Sequence, residues 1–410
     1  MQEKAKEPEI RFAGFTGAWE QRELGEISEI KTGPFGSSLH ASDYVADGVP
    51  IITTEHFKFG SIEKNKYLIP MVSDTDHSRL IAYSLKTGDI VFSRVGSVDI
   101  NALVEPESDG WLFSGRVLRV RSSEKYDSGF LHNLLETDDV RNDIRNRAVG
   151  QTMPSINTQI LSATELTIPS SKREQQRIGN FFKGINQLLT LHQRKYEKLL
   201  NIKKSMLEKM FPKEGEVVPE IRFKGFTGAW EQRKAKDLFA AYSDKGHPDL
   251  DVLSATQDRG MVRRDDNNIN ISHDKKNEAT YKRVLPGQFV IHLRSFQGGF
   301  AYSSIEGITS PAYTVFGFSK PQEHEPNFWK FVFSSEQFIK RLEKVTYGIR
   351  DGRSISYDEV LTLSFTFPGK NEQIQIAHFL DKVGALITLH QRKLEMLKNV
   401  KQAFLEKMFV

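Results

Sequence analysis

Apolar positions recur every seven residues in two stretches of the chain. Both stretches carry the pattern through about forty residues, with charged residues between the apolar ones. Sustained seven-residue spacing is typical of helices that pack along a shared seam. We therefore predict long helices at residues 172–212 and 370–410. The predicted seam consists of Ile178, Ile185, His192, Leu199, Met206, Ile376, Val383, His390, Leu397 and Phe404.

A second column of positions runs beside this seam in the same register. It consists of Phe182, Leu189, Tyr196, Lys203 and Met210 in the first stretch and of Leu380, Ile387, Leu394, Lys401 and Met408 in the second. The two histidines of the seam, His192 and His390, are expected to fix helix register rather than to perform chemistry, since a single polar seam residue commonly has that role.

The rest of the chain shows shorter patterns. A β-branched run at residues 49–54, and a turn followed by a short apolar run at 85–92 and again at 284–291, predict strands. The pattern of residues 130–144 predicts a helix. This mixture predicts an α+β fold for each region between the helical stretches.

The chain is internally duplicated. Residues 8–22 (PEIRFAGFTGAWEQR) recur at residues 219–233 with fourteen of fifteen positions identical, and LHQRK and LEKMF each recur at an offset of 198 residues. We predict four regions: a first domain at 1–171, a helix at 172–212, a second domain at 213–369 and a helix at 370–410. Two copies of one module are most simply related by an approximate two-fold axis, which favours an antiparallel coiled coil. The seven-residue spacing alone also allows parallel helices.

Composition and charge narrow the function. The chain has 410 residues and no cysteine, so thiol chemistry is excluded. Its net charge of +4 is too small to indicate nucleic-acid binding by itself. The region 23–170 carries a net charge of −7, and the segment 171–212, which contains the first predicted helix, carries +7. Because no uninterrupted apolar stretch of eighteen residues and no signal sequence is present, we expect a cytoplasmic protein.

Common catalytic motifs are missing from the sequence. It contains no phosphate loop, dinucleotide fingerprint, nucleophile elbow or H-E-x-x-H zinc helix. The nearest nuclease-like pattern is Asp266 followed by Asp274, Lys275 and Lys276, which could hold magnesium and stabilise an attacking water. Acidic residues followed by lysine are common by chance in a chain with this many charges, so a stand-alone magnesium-dependent nuclease is the weaker alternative.

The duplicated module resembles one family, the specificity subunit of type I restriction-modification systems. The resemblance is carried by PEIRF-x-GFTGAWEQR in both copies, by EQQRI at 174–178 against EQIQI at 372–376, and by the repeated LHQRK and LEKMF. It implies two target recognition domains that each read one part of a split DNA sequence, held apart by the helices. A non-reading coiled-coil adaptor is a further alternative.

The resemblance also implies partners and cofactors. Two methyltransferase subunits would carry S-adenosylmethionine, and two motor-nuclease subunits would use ATP and magnesium. This chain would itself be non-catalytic, with no cofactor or metal of its own.

Candidate DNA-binding residues follow from chemistry, because arginine suits guanine, asparagine and glutamine suit adenine, and glycine-containing loops approach DNA closely. They are Arg94, Ser97, Gln151, Thr152, Arg294, Ser295, Gln297, Arg350 and Arg353. The repeated aromatic residues Phe15, Trp19, Phe226 and Trp230 are expected near the helix ends, where they would form an internal joint or a methyltransferase contact. Anchoring of each repeated segment to its own core is an equal alternative.

Overall fold

The computed structural model describes residues 7–34, 39–57, 60–256, 259–267, 275–292, 299–345 and 356–410. The chain forms two compact units. Unit 1 contains Met1–Gln193 and Gln391–Val410, and unit 2 contains Arg194–His390. The division passes through both long helices, so each unit holds one variable body and a part of each helix.

The body of unit 1 is a mixed α+β structure. Its strands and helices, in chain order, are β1 (Glu20–Glu23), α1 (Leu24–Ile27), β2 (Ser28–Thr32), β3 (Tyr44–Val45), β4 (Val49–Ile52), β5 (Met71–Val72), α2 (Asp74–Arg79), β6 (Ile90–Ser93), β7 (Asn101–Leu103), β8 (Leu112–Phe113), β9 (Val117–Ser122), α3 (Ser128–Leu134), α4 (Asp138–Arg147), α5 (Thr158–Ser162) and β10 (Glu165–Ile168). Strands β2, β9, β6 and β7 form an antiparallel sheet in that order, and β3, β5, β4 and β8 form a second sheet in which β4 and β8 are parallel. Strand β1 pairs with β10.

The body of unit 2 is built in a related way. Its elements are β11 (Glu231–Lys234), α7 (Ala235–Leu238), β12 (Phe239–Tyr242), β13 (Leu253–Thr256), β14 (Gly260–Arg263), β15 (Lys282–Val284), β16 (Phe289–Ile291), β17 (Phe300–Tyr302), β18 (Gly307–Thr309), β19 (Thr314–Phe318), α8 (Pro326–Phe333), α9 (Glu336–Val345), α10 (Tyr357–Thr362) and β20 (Ser364–Phe367). The order β12, β19, β16, β17 matches that of the first sheet of unit 1, and β11 pairs with β20 as β1 pairs with β10. The two bodies therefore share one fold despite their different sequences.

The predicted helix at residues 130–144 consists of two helices, α3 and α4. The Thr137 hydroxyl donates to the Leu134 carbonyl at 2.7 Å, which closes α3. Thr137 also occupies the N-cap of α4, and Asp138 and Asp139 follow in its first turn. Acidic residues in the first turn favour a helix start through the helix dipole, so the hydrophobic periodicity continues through a break in the backbone.

The two long helices are α6 (Lys172–Lys209) and α11 (Lys370–Met408). In unit 1 the start of α6 packs against the end of α11, where the ring centroids of Phe181 and Phe404 lie 4.9 Å apart. In unit 2 Met206 and Leu207, near the end of α6, pack against an apolar core that contains Ile376 of α11. Start packs against end in each unit, which is the antiparallel pairing that the duplication favours.

The core of each unit lies between its first sheet, its short helices and these helix ends. In unit 1 the core includes Trp19, Phe92, Phe130 and Phe182, all of them buried. In unit 2 the core is richer in aromatic rings, which pack at centroid distances such as 5.0 Å between Phe289 and Phe333. Burial of aromatic side chains dominates the stability of such cores.

Candidate nucleic-acid interface and helix joints

A buried ion pair ties each repeated segment to a long helix. In unit 1 Arg11 donates from Nε and Nη2 to the two carboxylate oxygens of Glu174, at 2.7 and 2.9 Å, and from Nη1 to the Gly17 carbonyl. In unit 2 Arg222 makes the same contacts to Glu372, at 2.6 and 2.8 Å, and to Gly228. Each glutamate is almost fully buried, so a bidentate arginine is the partner that its charge requires.

These pairs also shift the ionisation of the arginines. The hydrogen bond to Glu174 raises the pKa of Arg11, and the hydrogen bond to Glu372 raises the pKa of Arg222 in the same way. Burial opposes both shifts but is the smaller effect. The charged form of each arginine is therefore favoured in the folded protein.

The next residue of each helix joins the body to the helix. The Gln175 side chain accepts from the Asp127 amide at 2.9 Å and donates to the Pro169 carbonyl at 2.8 Å. In unit 2 the Gln373 side chain accepts from the Glu325 amide at 2.9 Å and donates to the Pro368 carbonyl at 2.8 Å. At the start of each long helix, the glutamate therefore binds the repeated segment and the glutamine binds the variable body.

The repeated tryptophans lie where a helix ends. Trp19 is 1% exposed and packs edge-on against Phe409 at 6.4 Å, while Trp230 packs edge-on against Phe211 at 6.3 Å. The backbone follows the same plan, since the Ile10 amide donates to Lys407 and the Ile221 amide donates to Lys209. Trp19 also packs against Phe130, and Trp230 against Phe328, so each tryptophan contacts both a helix end and the core of its own unit. The other two predicted residues, Phe15 and Phe226, are half-buried.

The predicted seam residues are all buried or half-buried, including His192 and His390. The helices also carry leucines that point away from the seam. Leu188 and Leu191 are exposed in unit 1, and Leu386 and Leu389, their counterparts at an offset of 198, are exposed in unit 2.

Glu136 is another buried charged residue of unit 1. The Lys401 ammonium on α11 donates to the Glu136 carboxylate at 2.6 Å, and His132 hydrogen-bonds to Asn101 beside it. Burial alone would raise the pKa of Glu136, but the nearby His132 and Lys401 lower it. Burial lowers the pKa of His132. The end of α11 is therefore held to the body by charge as well as by packing.

Four predicted DNA-binding residues of unit 1 lie on two adjoining loops. Arg94 and Ser97 follow β6, and Gln151 and Thr152 lie between α4 and α5. The loops are joined because the Gly96 amide donates to the Pro154 carbonyl at 2.8 Å. The Arg94 side chain donates to the Gly115 carbonyl at 3.1 Å, so part of its guanidinium holds a neighbouring turn. The side chains of Ser97, Gln151 and Thr152 are exposed.

Positive side chains lie around these loops despite the acidic balance of the body. Arg145 and Arg147 at the end of α4 are exposed, as is Arg116, whose carbonyl accepts from the Arg94 amide. Arg145 pairs with Asp99 at 2.7 Å, and Arg147 pairs with Asp143 at 2.8 Å. Exposed pairs of this kind contribute little to stability, so these arginines can exchange a carboxylate for a phosphate.

The remaining predicted DNA-binding residues, Arg294, Ser295, Gln297, Arg350 and Arg353, lie outside the described residues. Asp274 of the nuclease-like pattern also lies outside them. Within the described ranges, no group of three or more histidine or acidic side chains is placed to share a metal ion. In that same part of the chain, no helix combines the length and the apolarity that crossing a bilayer requires.

The joint residues Arg11, Arg222, Gln175 and Gln373 were not predicted as functional. Their only signal in the sequence is that each is identical in both copies, inside PEIRF or the Glu-Gln pair. Nothing in the sequence indicates which residue each of them contacts.

Comparisons with known proteins agree with this architecture. The model of the type I restriction modification DNA specificity domain matches the chain twice, at residues 17–201 and 228–399. The type I restriction enzyme MjaVIII specificity subunit of Methanocaldococcus jannaschii is 24% identical over 195 residues, covering 46% of this chain and 44% of that protein. The putative type I restriction enzyme MjaX specificity subunit of the same organism is 26% identical over 202 residues, covering 48% and 46%. Each alignment spans less than half of the relative's length.

A solved structure shows the same fold over nearly the whole chain. The S subunit of the type I restriction-modification system of M. genitalium superposes with a TM-score of 0.65 at 12% identity, covering 98% of this chain and 99% of that one. These comparisons do not support the two alternative hypotheses, a stand-alone nuclease and a coiled-coil adaptor.

Proposed function

The chain belongs to the family of type I restriction-modification DNA specificity domains, and we propose that it reads a bipartite, interrupted DNA target without catalysing a reaction itself. The observation that supports this most is the double match of the family model, one match for each variable body. Two bodies with one fold and different loops are suited to reading two different half-sites. The bases between the half-sites would be spanned but not contacted.

We further propose that two methyltransferase subunits bind the repeated helix surfaces. Leu188 and Leu191 in one repeat and Leu386 and Leu389 in the other are exposed apolar side chains inside a near-identical sequence. An exposed apolar surface commonly marks a protein contact, and a surface present twice suits two copies of one partner.

Shallow grooves on the helices are duplicated as well. One is lined on α6 by residues that include Arg194, Asn201 and Ser205, and the other is lined on α11 by Arg392, Asn399 and Ala403, their counterparts at an offset of 198. Equivalent grooves with matching arginines and asparagines support the same stoichiometry of two.

The remaining partners follow from the family. Two motor-nuclease subunits would join the complex and use ATP and magnesium, and the methyltransferase subunits would carry S-adenosylmethionine. The chain would then act in the cytoplasm, where it meets the DNA that it reads.

The test is an exchange of one body. The chain is co-produced with the methyltransferase subunit of its own system, and methylated adenines are mapped across a genome. Replacing residues 23–170 with the first body of another family member is expected to change one half of the methylated sequence only. Replacing residues 234–369 is the matched control and should change only the other half. A change in both halves after either exchange, or methylation that does not depend on this chain, contradicts the proposal.

A further inference from the structure

The loop at residues 149–155, here called the tip loop, has a fixed shape. The Val149 amide donates to the Ser155 carbonyl and the Ser155 amide donates to the Val149 carbonyl, both at 2.9 Å. Gly150 has a φ of +104°, and a Cβ there would lie 2.8 Å from the Met153 carbonyl oxygen. Only glycine suits this position, so the chain reverses direction tightly between the paired residues.

The tip loop is also fixed to the first sheet of unit 1. The Gly96 amide donates to the Pro154 carbonyl at 2.8 Å, and the Ile156 amide donates to the Arg94 carbonyl at 2.9 Å. The backbone of the tip loop is therefore held in place relative to the loop after β6. Such preorganisation lowers the entropy lost when a partner binds.

Two large apolar side chains are exposed on this rigid loop. Met153 is 66% exposed and Val149 is 64% exposed, and the polar residues Gln151 and Thr152 lie between them in the sequence. Single exposed apolar residues are ordinary, but two of them beside an exposed amide on a held loop form a mixed apolar and polar surface. Because Met153 and Val149 remain in water, they contribute little to the free energy of folding. We expect them to be buried when a partner binds.

The charges around the tip loop indicate which partner it contacts. Arg145 and Arg147 precede the tip loop at the end of α4. Arg116 lies beside Arg94, since its carbonyl accepts from the Arg94 amide. Arginines around a contact surface suit a partner with a regular negative backbone. Base edges supply the rest, since glutamine pairs with adenine and an apolar side chain contacts the methyl group of thymine.

We propose that the tip loop reads an A·T pair in the major groove of the first half-site. The Gln151 amide hydrogen-bonds to adenine, and Met153 with Val149 packs against the thymine methyl group. This inference rests on the proposed function and adds to it a base pair and the residues that specify it.

The test uses the complete complex with its methyltransferase subunits. The target is first determined by selection from random duplexes, and each thymine of the first half-site is then replaced by deoxyuridine, which lacks only the methyl group. For the unaltered chain, binding is expected to weaken about fourfold at one thymine, the value of one buried methyl group. Met153→Ala should weaken binding to the unmodified duplex by a similar factor and remove the response to deoxyuridine at that position.

Two variants complete the experiment. Gln151→Ala should weaken discrimination against the other base pairs at that position by roughly fivefold or more. Leu68→Ala is the matched control, because Leu68 is 65% exposed on a different part of unit 1, and it should leave the deoxyuridine response unchanged. Circular dichroism of each variant verifies folding.

The outcomes separate this inference from the proposed function. A complex that selects a bipartite target but whose Met153→Ala variant keeps the full response to deoxyuridine at every thymine overturns the inference alone. A complex that selects no sequence at all overturns the proposed function.

Discussion

Arg11 and Glu174 are separated by 163 residues in the sequence, yet their side chains meet through two hydrogen bonds of 2.7 and 2.9 Å. Arg222 and Glu372 repeat this contact in the other unit. A charge that is buried with a single bidentate partner makes folding sensitive to the loss of that partner.

Glu174→Gln is therefore expected to destabilise the protein by about 3 kcal/mol, because it leaves the partly buried Arg11 guanidinium without its counter-charge. Chemical denaturation measures the change. Glu20→Gln is the control, since it removes the exposed pair of Glu20 with Arg22 and should cost below about 1 kcal/mol. Equal effects of the two substitutions would show that the buried pair has no special role.

The contact of Lys401 with Glu136 predicts a strong coupling between these residues. Lys401→Met should cost about 3 kcal/mol because it leaves a buried carboxylate, whereas the double variant with Glu136→Gln should cost clearly less. Lys203→Met is the matched control, as Lys203 is the counterpart of Lys401 and Ser334 occupies the position of Glu136 at the offset of 198. Denaturation of the unaltered chain, of Lys401→Met, of Glu136→Gln and of the double variant gives the coupling energy, and additive costs would contradict the prediction.

His324 predicts a dependence of stability on pH. It is buried, it stacks on Phe318 with ring centroids 4.5 Å apart, and burial lowers its pKa to about 4. The unfolded chain binds a proton near pH 6.5 and the folded chain only near pH 4. Stability should therefore fall as the pH decreases from 6.5 to 4, by about 3 kcal/mol, and level off about one pH unit below 4.

His324→Phe removes this titration while keeping a ring in the aromatic core. Urea denaturation at several pH values should show a flatter dependence for this variant than for the unaltered chain. Phe367→Leu is a control, because it weakens packing around His324 without removing a titrating group. Parallel curves for the unaltered chain and for His324→Phe would exclude the proposed origin of the dependence.

The backbone contacts of Ile10 and Ile221 predict that the chain can be permuted. The Ile221 amide donates to Lys209 at the end of α6, and residues 212–218 connect that helix end to the second repeated segment. The Ile10 amide donates in the same way to Lys407 at the end of α11, but no such connection joins α11 to the first repeated segment. A copy of residues 212–218 placed between Phe409 and Pro8, with new ends opened between Gly215 and Glu216, should therefore fold with an unchanged circular dichroism spectrum. Its Tm should lie within a few degrees of that of the unaltered chain.

A permuted chain opened between Phe130 and Leu131, which are buried in α3, is the corresponding control and should not fold. If both permuted chains fold equally well, or neither folds, the equivalence of the two joints has no consequence for folding.

The repeats and the long helices could be predicted from the sequence because periodicity and identity are properties of the chain itself. The seam positions follow from the same periodicity, which depends only on helix geometry. The break between α3 and α4 was missed, since the apolar pattern continues through Thr137 and a cap is a weaker signal than a period.

The joints could not be predicted for a different reason. Gln175 and Gln373 are identical in the two repeats, but the backbone amides that they bind lie 48 residues earlier in the sequence and are brought to them only by folding. The adjoining loops that carry Arg94 and Gln151 were nominated separately from residue chemistry. Their connection through Gly96 and Pro154 is a product of tertiary structure alone.

Gln175 and Gln373 contact main-chain atoms, and one of those atoms belongs to an aspartate in the first body but to a glutamate in the second. These two hydrogen bonds recognise peptide groups and leave the aspartate or glutamate side chain free to cap the helix that follows it. The sequence of a variable body can therefore change while its attachment to the helix is kept, provided that its backbone still reaches Gln175 or Gln373. New DNA specificities can then arise without a compensating change in the long helices.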